Sequence, residues 1–318
     1  MTIATISAQQ VAELLPYSEC IPLMREAMIA LSQGRTRQLL RGIVDLDDGN
    51  AFGVMPGAML GGVFGAKLVS VFPGNVARGG MSHQGLVALF DPESGAPTAV
   101  VDGGEITAIR TAAASAAATD VLARGDARRL ALIGCGEQAW RHVEAIRLVR
   151  PVEHVAIWGR SPERAEDLAT RVRESGLAAT VFSDVAATVA YADIICTVSG
   201  ALEPVLHSVD VGDGIHINAV GSSRAGPAEI GETLVARARF FADHREGVLA
   251  QGAEFLRTRA AGLVGDDHVL GEIGEVMAGT LVGRKGDSDV TIYKSLGSIV
   301  QDLVSAEHVW ARYRTASA

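Results

Sequence analysis

The chain is short of cysteine, of excess positive charge and of long apolar runs, and each shortage removes a class of protein. Its three cysteines, Cys20, Cys135 and Cys196, are odd in number and scattered, with no C-x-x-C pair. They offer neither a disulfide framework nor a zinc site, and they suit a reducing cytoplasm. The eight histidines show no ligand spacing, so no metal is expected. Lys+Arg number 28 against 37 Asp+Glu, a formal charge of −9. Nucleic-acid binding needs a basic face that releases counterions, so that partner is not expected. No apolar stretch reaches bilayer length, and the N-terminus lacks the basic and apolar segments of a secretory signal. Repeats, low-complexity tracts and charge blocks are missing too. These absences read as a soluble, cytoplasmic chain without a membrane partner.

What is present is enough for two domains with their own cores: 318 residues, 48% hydrophobic and 20% charged. Ser7 is placed to cap a short helix carrying Val11, Leu14 and Leu15, and residues 17–33 follow as a second helix that Gly34 stops. Extended segments rich in β-formers come next, near 42–46, 51–55, 65–72, 86–90 and 97–101, divided by turn signals. This predicts an α+β unit with a largely antiparallel sheet. Residues 105–123 read as one helix, so rich in alanine that another backbone can come close. From Arg129 the pattern alternates: strands at 130–133, 154–158, 179–182, 193–198 and 214–220, helices at 137–148, 162–173 and 184–190. Such alternation predicts an α/β, Rossmann-type doubly wound parallel sheet, with a boundary near 124–127. Residues 296–313 are helical by pattern and can return to the first domain.

The organising stretch is the apolar run 130–133 followed by Gly134-Cys135-Gly136 and a helix with Ala139, Val143 and Ile146 at helical spacing. Paired glycines also occur in ordinary turns. Here a buried strand precedes and a helix follows, which is the context that places a pyrophosphate at the helix N-terminus. The second strand, 154–158, ends in Gly159, Arg160 and Ser161, with Arg164 a turn later and no carboxylate at the strand end. A guanidinium there can hold a 2′-phosphate, which favours NADP(H) and leaves NAD(H) possible. Thr197 and Ser199, and the small polar residues after 214–220, end strands on the face where such sheets bind ligands.

Three cations stand in apolar or small-residue settings: Arg41, Lys67 and Arg110. Singly, each reads as a solvated or paired side chain. Lys67 fits that reading least, because strand alternation puts it on the face of Val69 and Val71, where it is buried unless that face opens to a cleft. A buried lysine has the lowered pKa that proton transfer near neutrality requires.

Arg41, Met55-Pro56-Gly57, Gly65-Ala66-Lys67, Ser82-His83-Gln84, Asp102-Gly103, the stretch from Thr107 through Arg110 to Ala112, Gly134-x-Gly136-x-Gln138, the stretch from His216 to Gly221 and Lys294-Ser295-Leu296-Gly297 stand in an order that resembles the ornithine cyclodeaminase/mu-crystallin family. The resemblance covers nearly the whole chain. It implies a homodimer with a split substrate-binding and dimerisation domain, residues 1–123 and 297–318, and a central dinucleotide domain, residues 124–296. It implies that Arg41, Lys67 and Arg110 hold a substrate carboxylate, with Lys67 available for proton transfer; His83 reads as a pocket hydrogen-bonder, and residues 75–84, with Gln84, as part of the pocket wall. To the cofactor residues read from the motifs, Gly134, Gly136, Arg160, Ser161 and Arg164, the resemblance adds contacts on Glu137, Gln138, the strand end at Arg160, Thr197, Val220 and Ser295. Cyclodeaminases carry an aspartate where this chain has Ser223, a glutamate where it has Gly53-Val54 and an acidic residue where it has Gly159. These departures resemble the ketimine reductase and amino-acid dehydrogenase branches. The expected function is NAD(P)H-dependent reduction of a small imino acid to an L-amino acid. The alternatives are a cyclodeaminase-like ammonia lyase using NAD+ transiently and a non-catalytic, NADPH-dependent ligand-binding protein.

Overall fold

The computed structural model describes residues 3–78, 80 and 82–317, without the side chains of Val76, Ala77, His83 and Ser317. The chain divides into two compact units, residues 1–110 with 298–318, and residues 111–297.

In the first unit β1 (Ala4–Ile6) leads into α1 (Ala8–Leu14), which begins at a capping box. Gln10 N donates to Ser7 Oγ at 3.4 Å and Ser7 N donates to Gln10 Oε1 at 2.9 Å, so two helix-end donors are satisfied. α2 (Tyr17–Ser32) buries Cys20, Ile21, Met24, Met28 and Leu31, and the chain leaves it through Gly34 at φ 68°. β2 (Thr36–Gln38), β3 (Gly42–Asp45), β4 (Ala51–Met59), β5 (Phe64–Val71), β6 (His83–Phe90) and β7 (Pro97–Asp102) follow. The sheet order is β1-β7-β6-β5-β4-β2, with β3 also pairing β4. Every pairing is antiparallel except β1 with β7, as the sequence pattern predicts. β1 and β2 were not legible, because three residues are too few to display alternation.

α3 (Gly103–Leu122) carries the alanine-rich run, and its residues 112–119 are all buried. The second unit then alternates β8 (Arg129–Ile133), α4 (Glu137–Ile146), β9 (His154–Trp158), α5 (Pro162–Glu174), β10 (Ala178–Val181), α6 (Val185–Val189), β11 (Ile194–Thr197) and β12 (His216–Ala219). It continues through α7 (Glu232–Arg237), β13 (Arg239–Ala242), α8 (Arg245–Gln251), α9 (Ala253–Ala260), β14 (Val269–Glu272), α10 (Ile273–Met277) and β15 (Thr291–Lys294). All eight strands are parallel, in the order β10-β9-β8-β11-β12-β15-β13-β14. The order reverses between β8 and β11, the switch point at which doubly wound sheets bind ligands. Ile133, Ile195, Ile217, Ile292, Phe240 and Phe255 belong to one apolar core under this sheet. β13, β14 and β15 extend the sheet beyond the expected strands. Each has only four residues, too few to display a periodicity that could be read.

α11 (Ile299–Ser317) completes the first unit by packing on its sheet and on α2. It approaches closely because the strands beneath it carry glycine: a Cβ on Gly57 would lie 2.5 Å from Ile299 Cγ2, and one on Gly65 3.3 Å from Leu303 Cδ2. No helix among the described residues is long and apolar enough to cross a membrane.

Candidate active site

Lys67 sits at the centre of β5, between Met55 of β4 and Val87 of β6. It is 4% exposed. Its Nζ donates to Thr107 Oγ1 on α3 at 2.6 Å and to Asp302 Oδ1 on α11 at 2.9 Å. Arg110, one turn beyond Thr107, donates from Nε to the same Asp302 oxygen at 3.0 Å and from Nη1 to Gln301 Oε1 at 3.1 Å. One internal carboxylate therefore serves two buried cations. Burial draws the Lys67 ammonium down to about 8; Asp302 opposes this, while the Arg110 and Arg41 charges reinforce it. Burial alone would raise the Asp302 carboxyl, but Arg110 and Lys67 hold it below the ordinary value. Gln301 Nε2 and Asp302 Oδ2 are buried with no hydrogen-bond partner among the described residues.

Arg41 immediately precedes β3, half-buried, with its Nε 3.4 Å from Met55 Sδ. The three expected cations thus converge on one region of the first unit. Gln84 is exposed at the start of β6, opposite Ser70 of β5. The His83 side chain lies outside the described residues. Ser223 belongs to the other unit, in the loop after β12. Asp302, Gln301 and Thr107 were missed from sequence. A signal existed for Asp302: it stands three residues after Ile299 and seven before Val309, both buried, on an otherwise apolar helical stripe.

In the second unit Gly134 has φ 132°, and a Cβ there would lie 2.7 Å from Val198 O. The glycine turn thus rests directly on the chain leaving β11. A Cβ on Gly136, the N-cap of α4, would meet nothing within 4 Å. The space in front of Gly136 is therefore open at the N-terminus of α4, where backbone N–H groups gather, which fits a dinucleotide pyrophosphate. Glu137 is exposed and Gln138 half-buried in that turn. Across register, Thr197 of β11 pairs with Ala219 of β12, and Ala219 with Lys294 of β15. Thr197, Val220 and Ser295 therefore stand side by side at the carboxyl ends of three adjacent strands. Ser161 caps α5 by accepting from Arg164 N at 3.3 Å, leaving the exposed side chains of Arg160 and Arg164 at the β9 end.

A switch-point sheet with an open glycine turn defines a dinucleotide-binding Rossmann-type unit, here carried with an antiparallel-sheet unit that buries a basic cluster. The profile of the ornithine cyclodeaminase/mu-crystallin family matches residues 2–317, and the chain belongs to that family. It is 34% identical over 311 residues to a Delta(1)-pyrroline-2-carboxylate reductase of Bacillus cereus, covering 96% of this chain and 95% of the relative. It is 36% identical over 313 residues to the ketimine reductase mu-crystallin of Mus musculus, covering 96% of each. Among solved structures, the Thermococcus litoralis Delta(1)-pyrroline-2-carboxylate reductase in complex with NADH and L-proline matches with a TM-score of 0.96 at 27% identity, covering 99% of both chains.

Asp302→Ala is expected to lower the unfolding free energy by about 3–5 kcal/mol in urea titrations, because it strands two buried cations. A loss below about 1 kcal/mol would mean that the cations do not depend on this carboxylate.

Proposed function

We propose that the chain reduces the C=N bond of a small imino acid, whether a cyclic ketimine, a pyrroline carboxylate or a 2-oxo-acid imine, to the L-amino acid. NADPH is the preferred reductant and NADH is accepted. The carrying observation is the buried cluster of Lys67, Arg110 and Asp302, which joins a carboxylate-binding guanidinium to an ammonium that titrates near 8. The enzyme is an oxidoreductase acting on carbon–nitrogen bonds with a nicotinamide cofactor, and its named relatives include reductases of this kind.

Arg41 and Arg110 take the substrate carboxylate through charge-assisted hydrogen bonds, worth roughly 1.5–3 kcal/mol each. Holding the carboxylate fixes the adjacent C=N group, which converts the reaction into one between positioned groups. Lys67 has three N–H donors and spends two on Thr107 and Asp302. The third is left for the imine nitrogen, which takes the proton as the carbon is reduced. The nicotinamide supplies the hydride when bound. Gly134, Gly136 and the first turn of α4 would hold its pyrophosphate, with Thr197, Val220 and Ser295 at the neighbouring strand ends. Arg160 and Arg164 would receive a 2′-phosphate. Neutral Ser223 offers no counter-ion for a second ammonium, which argues against ammonia release from a diamino acid.

The same reading includes a homodimer. Leu39, Ile43, Val44 and Leu46 are exposed on and beside β3, an apolar row on a sheet edge that a second copy would cover.

The first test follows nicotinamide absorbance with NADPH and NADH separately while pyrroline-2-carboxylate, piperideine-2-carboxylate and 2-oxo acids with amines are offered. Rapid oxidation that Lys67→Ala abolishes is expected; silence across the panel with tight cofactor binding would favour the lyase or binding-protein alternative. The pH profile gives a second check. Reduction needs protonated Lys67, so kcat/KM should fall as pH rises through about 8, whereas amino-acid oxidation should rise there; a flat profile from 7 to 9 would remove the lysine from proton transfer. For the dimer, light scattering of Val44→Asp should report a monomer, and a dimer of unchanged affinity would place the interface elsewhere.

A further inference from the structure

Two neighbouring strands of the second unit lead into one buried carboxylate that belongs to neither of them. Glu229 lies in the loop before α7 and is fully buried. Its Oε1 accepts from Ser199 N at 2.6 Å and from Ser199 Oγ at 2.7 Å, and its Oε2 accepts from Gly221 N at 2.7 Å. Ser199 follows β11 and Gly221 follows β12, so one side chain ties both strand exits. The link extends to β8, because a Cβ at Gly134 would lie 3.1 Å from Ser199 N. Gly221 in turn has no room for a side chain: a Cβ there would strike Ser199 O and the Glu229 carboxylate.

A second layer fixes Glu229. Its own N–H donates to Glu254 Oε1 at 3.2 Å, and the other Glu254 oxygen pairs with Lys294 Nζ at 2.7 Å. Lys294, at the end of β15, also donates to Ser222 O at 2.6 Å. Lys294 and Glu254 are both inaccessible to solvent. Burying three ionisable side chains is costly, and a merely structural turn is built as well by apolar contacts. The expense falls at the switch point, on the β11 and β12 side of the glycine turn. In a doubly wound sheet the adenosine half lies over the first strands and the second mononucleotide over the strands beyond the reversal.

We propose that Glu229 is a positioning residue for the nicotinamide half of the cofactor, holding the Val198–Ser199 and Val220–Gly221 backbones as one preformed surface. This rests on the dinucleotide reading above. Glu229 touches neither reacting atoms nor the pyrophosphate turn; it acts through Ser199 and Gly221.

The test compares binding of NADH with binding of ADP, which lacks the nicotinamide half, by calorimetry on the intact protein. Glu229→Gln keeps the shape but turns an amide donor towards the Gly221 or Ser199 N–H. Affinity for NADH should fall about tenfold (about 1.4 kcal/mol) while affinity for ADP stays within about twofold. Equal losses for both ligands, or no loss for either, would overturn the proposal. Should Glu229→Gln fail to fold, Ser199→Ala removes a single bond to the same carboxylate. It should give a smaller loss, about threefold, confined to NADH; an unselective loss or none overturns the proposal equally. Wild-type protein that bound neither ligand would refute the dinucleotide reading itself.

Discussion

The Asp302 carboxylate is the constraint on which the first unit depends. It lies 235 residues from Lys67 and 192 from Arg110 in sequence, and both cations converge on one of its oxygens. An ammonium or a guanidinium is costly to hold in such an interior without a counter-ion: the ammonium tends to lose its proton, and the guanidinium, which cannot, needs a partner or water. Strand β5, helix α3 and the chain's terminal helix must therefore be assembled together before the basic cluster exists. The glycines at 57 and 65 belong to the same arrangement, since they let α11 come near enough to deliver the carboxylate. Chemistry and folding share one interaction here. The carboxylate that makes burial of Lys67 tolerable also raises its proton affinity, against the burial and the two guanidiniums that lower it.

The chain contains only three lysines, Lys67, Lys285 and Lys294, and two of them are buried against carboxylates. In an acidic protein whose basic residues are mostly arginine, this use of lysine is selective. Arginine stays charged in any protein environment, whereas a buried lysine can gain or lose its proton. At the basic cluster, burial draws the Lys67 ammonium down to about 8. Lys294 is spent differently: its ammonium ties Glu254 to the Ser222 carbonyl and so stiffens the strand ends.

The dinucleotide site proposed for the second unit needs little side-chain chemistry. Gly134 and Gly221 leave no room for a Cβ, and α4 begins at Gly136 with backbone N–H groups at its start. Side chains enter as supports. Glu229 carries the load that backbone geometry alone leaves unmet, namely donors of Ser199 and Gly221 that face inward.

By itself the sequence determined the features that local pattern encodes. The Ser7 cap, the strand-turn-helix around Gly134, the exact span of β9 and the alternation from β8 to β12 were legible, because period, caps and turns are properties of neighbouring residues. The family resemblance pointed to Arg41, Lys67 and Arg110, but not to what holds them. Tertiary structure decided the rest. Asp302 and Glu229 look like ordinary helix and loop carboxylates until chain segments remote in sequence bring N–H donors and cations to them. The four-residue strands β13 to β15 became strands through the sheet they joined. Burial and charge pairing are sums over the whole fold, and no window of sequence contains them.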